Sequence, residues 1–422
     1  MEKKLFLLVL LSIFFASSSA WATVSGQCSN CHTMHNSQNG INDKTGVLSD
    51  GTLLTGTSRS LTKGDCVGCH TGDISASATD KIPYIMSTGG TEYGPDYTPV
   101  TGALENAPAT NTLAGGSFNG VRLAGSDNLG HNVFNIRELK DANMPDYAPP
   151  GWIATTFKAD AGGGDATGTI ATDGWTTQLT CAGTMGCHGN HVEADDFADI
   201  NGAHHGDDSR IDGSTVAKSY RFLRGILGYE DADWELSVSS TDHNTYYGLD
   251  RANTTTTGMD AKTISYLCAE CHGNFHSGTD IIYNSTTIAD ANPWLRHPTD
   301  FSLQTTAADT EYRDYANASG TLYATGTSAY NYIAPLASAN VSAGDDNNKK
   351  ASTTTPPTGA ISDPFAVADN DIVTCLSCHR AHGSAYADLL RWDYTDMQAG
   401  SGGDGVNKFA NKGCFACHTT KD

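Results

Sequence analysis

Most of this chain is polar, and its apolar stretches are short. Alternating apolar residues predict a short strand over residues 130–136. Residues 194–200 predict a helical turn, and residues 263–276 predict a longer helix. Residues 216–229 are rich in apolar and aromatic side chains, whereas residues 305–367 are polar and typical of loops. The pattern therefore predicts a chain of loops and turns with short α-helices and few short strands.

Residues 1–22 have the features of a secretory signal peptide. A basic start (residues 3–4) is followed by an apolar run (residues 5–16) and a small-x-small cleavage site (residues 20–22). The apolar run is short for a membrane span. We therefore expect cleavage and export of residues 23–422, with an uncleaved anchor as the alternative.

The twelve cysteines fall into six pairs, and each second cysteine is followed directly by a histidine. Five pairs have the spacing C-x-x-C-H, in which two thiols bind the vinyl groups of one haem and the histidine ligates its iron. The sixth pair is a C-x5-C-H variant. Disulfides would not need the histidines, and zinc sites would need four ligands grouped together. We predict six covalently attached haems (heme c), held by Cys28 and Cys31, Cys66 and Cys69, Cys181 and Cys187, Cys268 and Cys271, Cys375 and Cys378, and Cys414 and Cys417.

The composition indicates that cofactors supply much of the core. Only 38% of residues are apolar and 17% are charged, while Gly, Thr, Ser, Asn and Asp fill much of the chain. Six haems would provide large, flat apolar surfaces to bury. We expect residues 23–422 to form a single multihaem cytochrome c domain whose core is a stacked chain of six haems.

The fifteen histidines are enough to give each of six irons two imidazole ligands. Six of them complete the cysteine motifs and are the predicted proximal ligands: His32, His70, His188, His272, His379 and His418. Nine remain for the distal positions, and four of these follow a motif histidine closely enough to bridge to a neighbouring haem. The distal candidates are His35, His131, His191, His205, His276, His297 and His382. The distal ligand of the variant site stays open among His191, His204, His205 and His243.

Two imidazole ligands leave an iron no open position for a substrate and keep its reduction potential low. The histidine count therefore favours electron transfer over catalysis, and we do not expect an enzyme. A multihaem reductase is a less favoured alternative, because that class usually needs a five-coordinate iron and all six motifs here end in histidine.

The net charge of −22 limits the partners that this surface can attract. It argues against nucleic acid and against simple adsorption to acidic lipid. It favours cationic partners and divalent cations. Asp345 and Asp346 could hold calcium, although a solvated loop is the commoner role of such a pair.

Four local stretches stand out around the histidines: Cys28-Ser-Asn-Cys-His-Thr-Met-His35, Gly130-His-Asn132, Leu295-Arg-His-Pro298 and Cys375-Leu-Ser-Cys-His-Arg-Ala-His382. With the haem number, spacing and mature length, they resemble the OmcS-type outer-surface hexahaem cytochromes of metal-reducing bacteria. The middle of the chain, from about residue 180 to residue 258, differs. The third site of that family is a plain C-x-x-C-H, and His204, His205 and His243 have no clear counterpart there.

This resemblance implies bis-histidine ligation throughout, little regular secondary structure and polymerisation into extracellular filaments. It also implies that His35 ligates the haem held by Cys375 and Cys378 of the next subunit. A head-to-tail contact that does not close on itself makes a filament. We expect a protein exported through the periplasm to the outer surface or beyond, which carries electrons to other redox proteins or external acceptors. A monomeric periplasmic or surface carrier is the main alternative.

Overall fold

The computed structural model describes parts of the chain, which include three of the attachment motifs in full. None of the helices in these residues has the length and apolar character that a membrane crossing requires. The described residues are 32, 34, 61, 66, 70, 83, 85, 113–118, 120–121, 127–134, 136, 149–151, 178–192, 196–200, 211–231, 234–235, 243–249, 261–272, 275, 281–283, 286–288, 299–302, 334–338, 372–397 and 413–417.

The α-helices with described bounds are short. α1 covers Asp196–Ile200, where the sequence predicts a helical turn, and α2 covers Ile264–Cys271, within the predicted longer helix. α2 begins after Thr263, whose hydroxyl accepts a hydrogen bond from the backbone N–H of Tyr266 (3.2 Å). Single turns of 3-10 helix occur at Asp127–Leu129, Val216–Lys218, Tyr220–Phe222, Cys375–Ser377, Ala387–Leu389, Tyr394–Asp396 and Gly413–Ala416.

Short strands from distant parts of the sequence form one five-stranded sheet. The strands with described bounds are β1 (Gly228–Tyr229), β2 (Thr245–Tyr247), β3 (Ile281–Tyr283), β4 (Thr286–Ile288), β5 (Phe301–Ser302), β6 (Ala337–Ser338) and β7 (Ile372–Val373). The sheet has the order β1-β2-β6-β7-β5, and β3 pairs with β4 separately. β2 and β6 are parallel, with Tyr246 opposite Ala337, and the other neighbours are antiparallel. β7 ends two residues before Cys375, so the sheet fixes the start of the fifth attachment motif.

The strand predicted over residues 130–136 is wrong. Its backbone turns, because the N–H of Ile136 donates to the carbonyl of Val133 (3.1 Å). Val133 and Ile136 are buried, whereas Phe134 is 45% exposed. Burial every third residue is the period of a turn, and a half-buried strand would alternate.

The buried apolar side chains form small clusters, and attachment cysteines pack against several of them. One cluster includes Phe118, Val121, Val133 and Ile136 and contacts Cys181. Another consists of Ala334 and Trp392 and contacts Cys378 and Cys414. The largest cluster in the described residues contacts Cys187 and includes Tyr220, Leu223, Ile226, Tyr246, Ile264, Leu267, Ala337, Ile372 and Leu376. The attachment sites therefore border the apolar core.

A buried polar network fixes the segment beside the third attachment site. The Arg221 guanidinium donates to the carbonyl of Asp231 (2.8 Å) and to Oδ1 of Asn244 (2.7 Å). The carboxylate of Glu235 accepts from the N–H of Asn244 (2.8 Å). Burial raises the pKa of Glu235, and two arginines oppose that shift. The network holds Arg221 in place, and the carbonyl of Arg221 contacts His188.

Candidate haem sites

Three of the plain attachment motifs share one backbone hydrogen bond in the described residues. The N–H of the motif histidine donates to the carbonyl of the first cysteine, at 2.9 Å from His70 to Cys66, from His272 to Cys268 and from His379 to Cys375. This four-residue bond closes one helical turn, which brings the two cysteines of a motif to the same side. Such a turn can present both thiols to one cofactor.

The variant motif keeps this bond in spite of its three extra residues. The N–H of His188 donates to the carbonyl of Cys181 (3.0 Å), as in the plain motifs. The N–H of Cys187 donates to the same carbonyl (3.2 Å), as Cys378 does to Cys375. The extra residues form a turn between these anchors. Cys181, Cys187 and His188 therefore have the same backbone closure as a C-x-x-C-H motif.

Glycines permit the bulge of the variant motif. A Cβ on Gly186 would overlap the backbone of Ala182. Gly183 adopts a φ of 87°, which a residue with a side chain rarely adopts. The N–H of Gly186 donates to the carbonyl of Gly183 (2.9 Å), which closes the turn. The backbone of this insertion therefore requires glycine at residues 183 and 186.

Each described motif histidine whose ring contacts are known donates through Nδ1 to a backbone carbonyl. The acceptors are Pro83 for His70 (2.8 Å), Arg221 for His188 (2.9 Å), Pro150 for His272 (2.7 Å) and Asp388 for His379 (2.7 Å). A carbonyl can only accept, so the proton is on Nδ1 and the lone pair is on Nε2. This is the usual arrangement of a histidine that binds a metal through Nε2.

Two of these carbonyls depend on unusual backbone conformations. Arg221 has a φ of 47° and Asp388 a φ of 59°, in the left-handed region that non-glycine residues seldom occupy. Both direct their carbonyls at motif histidines. Sequence reasoning missed these acceptors because any residue type offers a carbonyl. Left-handed conformations of non-glycine residues cluster at functional sites.

Two histidine pairs have the separation expected for ligands on opposite sides of one metal ion. The ring centres of His131 and His272 are 6.2 Å apart, and those of His188 and His382 are 6.3 Å apart. With metal–nitrogen bonds of about 2.0 Å, two imidazoles across one ion have ring centres roughly 6 Å apart. Nδ1 of His131 also donates to a backbone carbonyl, that of Ala381 (2.7 Å). The residues present therefore fit a haem iron between each pair.

Burial keeps these imidazoles in the form that binds metal. It lowers the pKa of His188 to about 4 and that of His382 to about 3. It also lowers the pKa of His70 and of His131. A neutral imidazole has the lone pair that a metal ligand needs.

Several attachment cysteines are partly buried, and their thiols have raised pKa values. Burial raises the pKa of Cys187 and of Cys378 to about 12. A hydrogen bond with Cys375, together with burial, raises the pKa of Cys268, so the fourth and fifth motifs lie side by side. A thiol with a raised pKa is a poor nucleophile. In the described residues no group of three or more His, Cys, Asp or Glu side chains converges as a zinc site would require.

Other predicted ligands have different surroundings. Nε2 of His191 donates to the carbonyl of Cys187 (3.0 Å), and its Nδ1 lies 3.5 Å from a carboxylate oxygen of Glu270. His243 is buried and donates through Nδ1 to the carbonyl of Asn244 (2.6 Å). His32 is exposed. The remaining calls lie outside the described residues: Cys28, Cys31, Cys69, His35, His204, His205, His276, His297, His418 and the Asp345–Asp346 pair.

Sequence reasoning also missed Arg391, which braces the fifth motif. This buried side chain donates through Nε to the carbonyls of Leu376 (2.7 Å) and His379 (3.2 Å). Its backbone N–H donates to the carbonyl of Cys378 (2.9 Å). The only sequence signal was an arginine inside an apolar stretch after the motif.

Known proteins have the same kind of motif, and one of them is similar to this chain along most of its length. Residues 364–422, which hold the fifth and sixth motifs, match the family model described as "Doubled CXXCH motif". The chain is 26% identical to C-type cytochrome OmcS of Geobacter sulfurreducens, over 93% of this chain and 86% of that protein. Two solved structures are similar: the Outer Membrane Cytochrome S filament of that organism (TM-score 0.36, 20% identity, 90% and 86% of the two chains) and the OmcS nanowires (TM-score 0.35, 22% identity, 87% and 84%).

The attachment motifs, the family match and the curated relative make the chain similar to c-type cytochromes, and they support covalently bound haem c. The particular protein that the chain resembles along most of its length is OmcS. The resemblance drawn from the sequence motifs is therefore confirmed.

Proposed function

We propose that this chain is an extracellular electron-transfer cytochrome with six haems, each ligated by two histidines. The two histidine pairs at 6.2 and 6.3 Å carry the proposal. The closure of the variant motif supports a sixth haem. An iron with two protein ligands has no open position for a substrate, so the chain acts as an electron carrier and not as an enzyme.

The chain's own residues hold and insulate the cofactors. Haem iron supplies reversible one-electron chemistry when bound. Backbone carbonyls orient the motif histidines through Nδ1. Phe118 stacks on the ring of His382 (4.8 Å between centres, 25° between planes), which excludes water from that side. Rigid ligands suit electron transfer because the geometry changes little when the iron changes charge.

A short segment after the fifth motif links three haem sites. His379 is the proximal ligand of the fifth site, and His382 pairs with His188 of the third. Between them, the carbonyl of Ala381 holds His131, which pairs with His272 of the fourth. We infer that the third, fourth and fifth haems are neighbours, which gives electrons a continuous path. In this arrangement His382, and not His191, is the distal ligand of the third haem.

Polymerisation is the second part of the proposal. OmcS, the relative that is 26% identical, has been solved as a nanowire filament. We propose that signal cleavage after residue 22 leaves His35 near the start of the exported chain, where it can reach outward. His35 would then ligate the iron of the fifth haem of the next subunit, the haem that Cys375 and Cys378 hold. The charge of −22 suits a filament that meets cationic partners or metal-bearing external acceptors.

The ligation is tested with two histidines that stand in equivalent places, each three residues after a motif histidine. His382→Ala should leave six haems attached but convert one of them to a high-spin signal in the electron spin-resonance spectrum. His191→Ala is the matched control, and it should leave every haem low-spin. A high-spin signal in His191→Ala, with an unchanged spectrum in His382→Ala, would reverse the assignment.

The polymer is tested by changing neighbouring residues near the mature N-terminus. His35→Ala should keep six haems and abolish long assemblies in negative-stain electron microscopy. Met34→Ala is the control, because Met34 is 59% exposed and offers no imidazole. Normal filaments from His35→Ala would contradict the intermolecular bond. Discrete particles from the unaltered protein would favour a monomeric carrier. A high-spin signal in the spin-resonance spectrum of the unaltered protein would favour a reductase.

A further inference from the structure

Asp199 lies buried beneath the insertion of the third attachment motif. It is carried by α1, which follows that motif in the chain, and the residue is 0% exposed. Its Oδ2 accepts hydrogen bonds from the N–H of Gly183 (2.8 Å) and from the N–H of His191 (3.1 Å). One donor lies within the insertion and the other just after the motif. A single carboxylate oxygen thus ties together both sides of the variant site.

The backbone around Asp199 is shaped to admit it. Gly189, directly after the motif histidine, has a φ of 86°, and a Cβ at this position would overlap the carboxylate. His191, whose N–H donates to Asp199, itself has a φ of 61°, in the left-handed region. Glycine at residue 189 is therefore required both by its own backbone and by the approach of Asp199.

The insertion needs an acceptor that a plain motif does not need. In a C-x-x-C-H motif, the two residues between the cysteines fit within a single helical turn that the motif's own backbone bonds close. In the variant, the buried N–H of Gly183 lies within the insertion and donates to the carboxylate of Asp199 (2.8 Å). A buried amide without an acceptor is costly, and a charged acceptor forms a stronger bond than a neutral one.

We propose that Asp199 is the positioning residue of the third haem site: its carboxylate anchors the three-residue insertion, so that Cys181, Cys187 and His188 keep the backbone closure of a C-x-x-C-H motif. This inference rests on the proposed function, because it assumes a haem at the variant site. It adds a dependence on a carboxylate at the variant site, whose insertion the plain motifs do not have.

The test combines a substitution with a shortened motif. Asp199→Leu removes the acceptor, and Asp199→Asn keeps an oxygen that can accept the same bonds. Deletion of residues 183–185 turns the variant into Cys181-Ala182-Gly186-Cys187-His188, a plain C-x-x-C-H, so Asp199→Leu is also made in that background. Asp212→Leu is the control, because Asp212 likewise accepts a backbone N–H, from Ser214 (2.8 Å), in a loop without attachment cysteines. Intact mass counts the haems, and spin resonance records their ligation.

We expect Asp199→Leu to lose one haem, or to keep six and lose one low-spin signal. Asp199→Asn, Asp212→Leu and the shortened chain, with or without Asp199→Leu, should keep six low-spin haems. Six unchanged haems in Asp199→Leu would overturn the proposal. So would the same loss in the shortened background, because it would mean that Asp199 supports the fold in general. Five haems in the unaltered protein would instead contradict the six-haem function itself.

Discussion

The contacts of single side chains decide which histidines can share an iron. His382 lies between Phe118 and His188, and Gly115 closes the remaining side. The ring has little room to move without losing the separation of 6.3 Å from His188. A side chain at residue 115 would reach the ring of His382. We infer that this contact requires glycine at residue 115, although the residue is far in sequence from the attachment motifs.

Gly115→Ala should displace His382 from the third iron. The added Cβ would lie 2.9 Å from Nδ1 of His382, closer than real contacts allow, whereas Gly115 itself does not need a left-handed backbone. We therefore expect six haems, nearly unchanged thermal unfolding, and one haem with a weakened distal bond. Potentiometric titration with spin-resonance detection would measure this as a shifted potential or a partial high-spin signal. Identical spectra for the variant and the unaltered protein would mean that His382 is not the ligand.

The grouping of each plain motif's cysteines and histidine on one turn could be predicted from the sequence because their spacing is local. Two cysteines and a histidine within five residues lie on one turn whatever the rest of the chain does. The pairing of His131 with His272, and of His188 with His382, could not be predicted in this way. These partners are far apart in sequence, and they meet through tertiary contacts such as the bond from His131 to the carbonyl of Ala381.

The short helices and strands serve mainly to position the motifs. α2 carries both cysteines of the fourth motif, and its C-cap residue, His272, leaves helical geometry (φ −110°, ψ 40°). The imidazole of this residue thereby reaches the carbonyl of Pro150. Sequence periodicity located α2 because its apolar positions follow the helical period. It failed at residues 130–136, where Val133 and Ile136 are buried by a turn that the apolar pattern could not distinguish from a strand.

Thr263→Ala should destabilise the haem-loaded protein by about 1 kcal/mol, because the N-cap of α2 loses its side-chain acceptor. Thr263 is only 2% exposed, so water cannot readily replace the lost bond to Tyr266. Thr263→Ser keeps a hydroxyl and should fall much closer to the unaltered protein. Thermal unfolding followed by far-ultraviolet circular dichroism makes the comparison. Equal midpoints for the alanine and serine variants would rule out a capping role.

At the scale of the molecule, the buried apolar side chains of the described residues form separate clusters, and we expect haems to complete the core between them. The low apolar content predicts small clusters, and two of the described clusters are small and border attachment cysteines. Cys187 borders the largest cluster while Cys181, its partner in the same motif, borders another. A haem on this motif would therefore lie where two clusters meet and join them into one core. What the sequence could not reveal was the five-stranded sheet, because its two- and three-residue strands are too short to give a periodic signal.

Removal of the haems should therefore abolish cooperative folding, and not merely lower stability. The same chain, expressed without its signal peptide so that haem is not attached, should lack a sharp calorimetric transition and bind a hydrophobic dye. The physical reason is that separate small clusters bury too little apolar surface to offset the conformational entropy of about 1–2 kcal/mol per ordered residue.

Replacement of Cys181 and Cys187 by alanine in the exported protein is the graded control, because it removes only the haem at the meeting of two clusters. That variant should keep a transition at a lower temperature. A cooperative transition of normal enthalpy in the haem-free chain would mean that the side chains alone form a sufficient core.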